Sequence, residues 1–299
     1  MKPPPSIKPN LENLKRHLQE IAQERNWQTS PHSLEKVQNY LKKEFLSYGF
    51  EVLEDPFPFS GRNFSNIIAQ GPQFSQKTRL IIGAHFDSVS GSPGADDNAS
   101  GIACLLETAR IYAESQKTND SVEFVAFNME EYGMIGSRSY AKKLKKEGTR
   151  IAGMLSLEMV GYVSGKKNSQ QLPFFLKPFF PNVGNFIGLV GNTRSQAILE
   201  KTKKIFKGVE GLPVESLALP ANGLVFPATR LSDHSPFWDE GFPALLITDT
   251  SFYRNPYYHS QKDRIETLDL EFLAKVTEAT ARTAVLSIGS EKDGLNVKQ

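Results

Sequence analysis

The sequence predicts an α/β protein: a three-layer αβα arrangement with a central mixed, mostly parallel sheet. Three observations carry this. Short apolar runs such as residues 80–84 (LIIGA) and 153–157 (GMLSL) have the length and character of strands buried on both faces. Segments with helical apolar spacing alternate with them through most of the chain, the signature of a sheet covered by helices. The chain has 299 residues, 39% of them hydrophobic, enough for one large α/β domain or two small ones. No internal repeat and no composition break marks a linker. The whole chain, 1–299, is therefore read as a single domain, with residues 1–48 as N-terminal helices packing on it.

The elements follow in order. Residues 10–24 and 31–48 read as amphipathic helices. In the second, Leu34, Val37, Leu41 and Phe45 fall on one face, and Ser30 or Ser33 is placed to cap its start. Residues 50–59 and 63–69 read as strands paired across Gly61 and Arg62. Strand 80–84 is followed by a helix over 98–115, a strand over 121–128, a helix over 137–146 and a strand over 153–157. Further strands are expected at 186–190, 214–217 and 244–247, and helices at 194–207 and 269–288. The irregular stretch 163–185 contains LPFFLKPFFP. It reads as a loop packed by its own aromatics, or as a wall or lid of a site, with a membrane contact as a weaker third reading.

Composition excludes several classes. Lys plus Arg is 35 and Asp plus Glu 33, a net charge of +2, which gives no electrostatic footprint for nucleic acid. The single cysteine, Cys104, cannot form an internal disulfide and reads as a small buried hydrophobe. The N-terminus, MKPPPSIKPNLENL, has no apolar run of a signal peptide, and no segment reaches the roughly 18 apolar residues of a membrane span. A soluble cytoplasmic protein is expected, unless a cleaved leader precedes this sequence.

Chemistry concentrates in three short clusters: AHFDS (His85, Asp87), GADDNASG (Asp96, Asp97) and NMEEYG (Glu130, Glu131). They are placed at the C-terminal ends of predicted strands, the edge where open α/β sheets bind ligands. A single Asp in a turn is usually a backbone cap. Adjacent carboxylates repeated at successive strand ends are costly, because like charges repel and burial penalises each ionised group. A divalent cation resolves that cost, and neutral imidazole with carboxylate is a ligand set that zinc accepts.

HFDSVSGSPGADDNASG, FNMEEYGMIGS and NPYYHSQKD resemble the motifs of the co-catalytic zinc aminopeptidases, the family of the aminopeptidases S and Y, and the resemblance runs from about residue 63 to 288. It implies the zinc exopeptidase fold and a dinuclear zinc site acting on a peptide substrate. His85 and Glu158 would hold one zinc, Glu131 and His259 the second, and Asp97 would bridge; one ion alone is the alternative. Glu130 would be the general base, Asp87 would orient the His85 imidazole, and Tyr258 would steady the oxyanion unless it is merely a packed aromatic. The family's usual residue at position 158 is Asp, so Glu158 is a departure that leaves the occupancy of that zinc open. The resemblance also implies a cis peptide at Asp97–Asn98, and places Asp233 and His234 in a motif that lines the substrate site without ligating zinc. His17 and His32 read as surface residues. Competing activities are a glutaminyl cyclase, a carboxypeptidase or dipeptidase variant, and a non-enzymatic receptor. The intact HFDS motif disfavours the cyclase, and the metal-competent residue at each ligand position disfavours the receptor.

Overall fold

The structure is a computed structural model describing residues 7–72, 74, 78–115 and 121–286. Among them, eight strands form one sheet: β1 (Glu51–Phe59), β2 (Arg62–Gln70), β3 (Arg79–His85), β4 (Val122–Phe127), β5 (Ile151–Glu158), β6 (Ile187–Asn192), β7 (Val214–Leu219) and β8 (Ala244–Thr248). Their spatial order is β1-β2-β4-β3-β5-β8-β6-β7. β4, β3, β5 and β8 run parallel, as do β6 and β7; β1 pairs with β2, β2 with β4 and β6 with β8 antiparallel. Every residue of β3 and β4 is buried, which is why those runs lack polar alternation.

The helices cover both faces. On one side lie α1 (Leu11–Ile21), α2 (Pro31–Ser47), α3 (Gly101–Glu114), α5 (Gln196–Lys207) and α7 (Leu270–Leu286), contributing Leu14, Leu41, Leu105, Phe206 and Val276 to one core with Leu80, Ile82, Phe124 and Leu155. On the other side, α4 (Ile135–Lys146) and α6 (His234–Asp239) pack Leu144, Phe237 and Trp238 against Ile81, Val125 and Met154. Ile81 and Ile82 serve opposite cores because successive strand side chains alternate in direction. The expected helix and strand order therefore holds, in three layers.

Some details differ. The β1–β2 turn is Ser60–Gly61, since Phe59 already pairs with Arg62. α3 begins at Gly101, after a wide turn at Ala95–Ser100. The six-residue α6 is too short to leave a periodic signature. Residues 287–288 of the last expected helix lie outside the described residues. Ser30 sits at the N-terminal cap of α2 without a side-chain capping bond; its hydroxyl instead accepts from the Asn26 amide at 2.7 Å. Cys104 is buried, and burial pushes its thiol up to about 11. No helix among the described residues is long and apolar enough to cross a membrane.

His17 corrects the surface reading: it is completely buried. Its Nδ1 lies 2.6 Å from the Tyr40 hydroxyl and its Nε2 3.4 Å from that of Tyr48. Arg16 donates to Tyr40 and to Glu44, and Tyr48 donates to Glu44. This network joins α1 to α2, so a residue that periodicity alone left ambiguous is enclosed by the second helix. Burial lowers the imidazole pKa from 6.5 to about 3, aided by Arg16 and Arg110 and opposed by Glu44. The unfolded chain thus binds this proton first on acidification, and stability is lost as pH falls from about 6.5 toward 3. Urea unfolding of wild type and His17→Gln at several pH values should show the wild-type slope in this window steeper by up to about 1.4 kcal/mol per pH unit, one proton's worth. Equal slopes would show that His17 titrates normally.

Candidate metal centre

The chemistry-bearing residues meet at the C-terminal edge of β3, β4 and β5. His85 ends β3, Glu158 ends β5, and Glu130 and Glu131 follow β4 after Asn128 and Met129. Asp97 comes from the Ala95–Ser100 turn and His259 from the segment after β8. His85 Nε2 lies 3.3 Å from Asp97 Oδ1 and 3.4 Å from both Glu158 oxygens. His259 Nε2 lies 3.1 Å from Asp97 Oδ2 and 3.2 Å from Glu131 Oε2. Two trios able to hold a cation, His85–Asp97–Glu158 and Asp97–Glu131–His259, therefore share Asp97, whose two oxygens face opposite ways.

The donors fit a metal on three counts. Bonds of 2.0–2.1 Å at a tetrahedral zinc separate neighbouring ligand atoms by about 3.3 Å, matching the 3.1–3.4 Å spacings here. Glu131 Oε1 is buried without a hydrogen-bond partner, a costly state for a carboxylate oxygen. The electrostatics are also strained. Burial raises the carboxyls of Glu130 and Glu158, and that of Glu131 to about 7. Burial would lower His259, yet contact with Asp97 and Glu131 outweighs it and raises the ring to about 10.

Carboxylates bound to backbone set this geometry. Asp87 accepts from the Glu130 and Glu131 amides at 3.0 and 3.2 Å, fixing both residues just past Met129, which adopts φ 62°. Its carbonyl oxygen, at 3.3 Å, is nearer to His85 Nδ1 than its carboxylate, at 3.6 Å, so the side chain expected to orient the imidazole chiefly holds the two glutamates. Asp263 does the same for the Asp96 and Asp97 amides, at 2.9 and 3.1 Å. The Asp97–Asn98 peptide is cis. Asn98 ties that turn to β5, accepting from Gly101 and Met159 and donating to the Leu157 carbonyl. Ser232 donates to Glu158 at 2.8 Å.

Sequence reasoning missed Asp263, although it closes the HSQKD motif, and missed Arg25 entirely. Arg25 is fully buried beneath the centre. Its guanidinium donates to the carbonyls of Ile21, Gln23, Phe86, Pro93 and Gly94, joining the segment after α1 to the loops carrying His85 and Asp97. Burial lowers its pKa, and Asp97, Asp263 and Asp87 counter that. Gly94, at φ 59°, leaves it room: a Cβ there would collide with the Asp97 carbonyl and the guanidinium. His234 is buried with Nε2 2.8 Å from the Thr229 carbonyl and its ring edge-on to Trp238. It does not line the pocket described next, although its motif was expected to; neighbouring Thr229 and Leu231 do. His32 is exposed.

Beside the trios opens a pocket of about 340 Å³. Glu130, Glu158, Tyr258 and His259 line one end, and apolar groups including Phe186, Val190 and Leu246 line its body. Leu172, Leu176 and Phe180 also line it, so the 163–185 stretch serves as a wall, with Phe174 and Phe179 exposed beyond it. Tyr258 stacks on the His259 ring at 3.7 Å between centroids.

The family model described as peptidase family M28 matches residues 66–284. The chain belongs to peptidase family M28. This M28 chain is 34% identical over 261 residues to the Escherichia coli K12 protein YfbL, whose function is uncharacterized, covering 82% of this chain and 78% of that one. It is 29% identical over 221 residues to a probable leucine aminopeptidase of Arthroderma otae, covering 70% of this chain and 53% of that one. The chain thus spans about half the length of several fungal leucine aminopeptidases it matches. In fold, the M28 chain is similar to the LapA aminopeptidase of Legionella pneumophila (TM-score 0.74, 20% identity, 94% of this chain and 72% of that one). It is also similar to the glutaminyl cyclase of Porphyromonas gingivalis (TM-score 0.66, 19% identity, 93% and 96%). Both aminopeptidase and cyclase chemistry therefore occur on this fold.

Arg25 yields a stability prediction for the M28 centre. Arg25→Met leaves several buried carbonyls unpaired, at about 1–3 kcal/mol each. At roughly 2–4 °C per kcal/mol for a chain of this size class, the thermal midpoint should fall by on the order of 10 °C or more. Arg25→Lys should recover only part of the loss, because an ammonium lacks the planar fork. A calorimetric scan showing less than about 2 °C between wild type and Arg25→Met would remove Arg25 from this role.

Proposed function

We propose that this M28 chain is a zinc-dependent aminopeptidase that removes N-terminal residues from peptides. The observation that carries the reading is the pair of trios sharing Asp97 beside a pocket that Glu130 also lines. In this reading His85, Asp97 and Glu158 hold one zinc, and Asp97, Glu131 and His259 a second. Glu158 supports the first site despite the family's usual Asp at this position: it ends β5, Ser232 anchors one of its oxygens, and both lie 3.4 Å from His85 Nε2. Bound there, zinc supplies Lewis-acid polarisation of the scissile carbonyl and acidification of water.

The protein's own groups do the rest. Glu130 is half-buried at the pocket end, and desolvation there raises its carboxyl well above the ordinary range. A carboxylate so raised is suited to take a proton from water near neutral pH and return it to the departing amine. Its backbone is held by Asp87, so the base is pre-positioned. Tyr258 keeps its phenolic proton, because burial and the nearby Asp97 and Glu131 push its pKa up; that O–H is available to donate to an oxyanion. The carboxylates Glu130 and Glu158 at the pocket end attract the free α-amine of the substrate and so favour cleavage at the N-terminus.

Two experiments test this. Glu130→Gln should lower turnover by on the order of 10²–10⁴-fold while zinc stoichiometry stays near wild type. Glu131→Gln should bind zinc more weakly, with partial recovery of activity in excess zinc. Loss of metal by Glu130→Gln and retention by Glu131→Gln would reverse the roles. Separately, aminoacyl p-nitroanilides should be hydrolysed and their N-acetyl forms should not. Comparable cleavage of acetylated peptides would point to an endopeptidase or carboxypeptidase, and ring closure of N-terminal Gln with ammonia release to a cyclase.

A further inference from the structure

Sheet register determines what lies on the pocket floor. Glu158 pairs with Thr248, Thr248 with Gly188, and Gly188 with Glu215, so these four form one row across β5, β8, β6 and β7. The next row on the same face is Ser156, Leu246, Val190 and Leu217. Residues in register point to the same side of a sheet. The opposite face carries Ile187, Val214 and Ile247 into the core shared with α5 and α7. The floor is therefore a trough with a carboxylate at each end. Three strand spacings of about 4.8 Å put roughly 14 Å between the Glu158 and Glu215 backbones. Between them, Thr248 is short and Gly188 has no side chain, which keeps the trough open, while the second row gives it an apolar flank.

Glu215 has no role in the metal centre. It is half-buried in β7 and lines the pocket at the end away from His85. Among the described residues the lining contains no Lys or Arg. A carboxylate there faces apolar walls with no built-in counter-charge, an arrangement that favours a ligand bringing both an apolar stem and a positive end.

We infer that the pocket selects N-terminal residues whose side chain carries a cation on a long apolar stem, Lys or Arg, with Glu215 as the specificity-determining residue. This rests on the aminopeptidase reading for its substrate frame: the α-amine and scissile bond lie at the metal end, the stem runs along Leu246, Val190 and Leu217, and the charge meets Glu215. A leucine-sized side chain fills only the first part of the trough.

The test uses a matched pair, Lys and norleucine, which share a four-carbon stem and differ in the terminal amine. On zinc-loaded protein, kcat/KM for Lys-p-nitroanilide should exceed that for norleucine-p-nitroanilide. The Lys-to-norleucine ratio should fall roughly tenfold or more in Glu215→Gln, as for losing a hydrogen bond between charged groups, and further in Glu215→Lys. Thermal midpoints verify that both variants fold. Calorimetric titration with free L-lysine and L-norleucine gives a second readout that does not depend on turnover. Glu215-dependent preference for lysine in binding without any hydrolysis would overturn the aminopeptidase reading and leave the pocket assignment standing. Ready hydrolysis with a Lys-to-norleucine ratio that Glu215→Gln moves by less than twofold would overturn the pocket assignment and leave the aminopeptidase reading standing.

Discussion

The constraint on which the rest of this structure depends is the repulsion among carboxylates gathered at one edge of the sheet. Asp97, Glu130, Glu131 and Glu158 converge on two imidazoles, and burial raises three of those carboxyls. Only the contacts with His85 and His259 keep Asp97 below the ordinary range against its own desolvation. Left to themselves these groups would turn toward water, so the fold must hold them in place until a cation offsets their charge. That is the reason the surroundings are so heavily bonded to backbone.

Two further carboxylates and one arginine provide that hold. Asp87 and Asp263 each accept from two successive amides, turning negative charge into rigid backbone directly beneath the side chains of the two trios. Arg25 supplies the opposite sign and ties the N-terminal segment to the loops after β3. The N-terminal helices are thus coupled to the site by a buried guanidinium. Supporting groups of this kind orient metal ligands and tune their basicity. Here they also decide which of two adjacent glutamates faces which neighbour.

The pocket shows a second consequence of sheet geometry. β6 reverses direction beside β8 and brings β7 alongside, extending the floor well past the metal centre. A parallel sheet ending at β8 would offer no surface on which a long side chain could lie. Apolar residues from the 163–185 stretch form one wall of the trough, which gives an otherwise irregular segment a clear physical role.

Much of this was determined by sequence alone. The apolar runs at 80–84, 121–128 and 153–157 specify central strands because burial on both faces removes alternation. The HFDS, GADDNASG and NMEEYG clusters, read with the strand ends before them, name residues that the tertiary structure brings together. Glu158 was legible as a departure from the family pattern, because its motif aligns by local order. Tertiary structure alone decided what depends on distant packing. His17 is buried because α2 covers it, which the period of α1 cannot reveal. Arg25 looks like any surface arginine until five carbonyls from three separate segments surround it. Glu215 belongs to the pocket only through a register crossing four strands. Local sequence fixes which face a strand residue takes, and only the pairing of strands fixes what lies beside it.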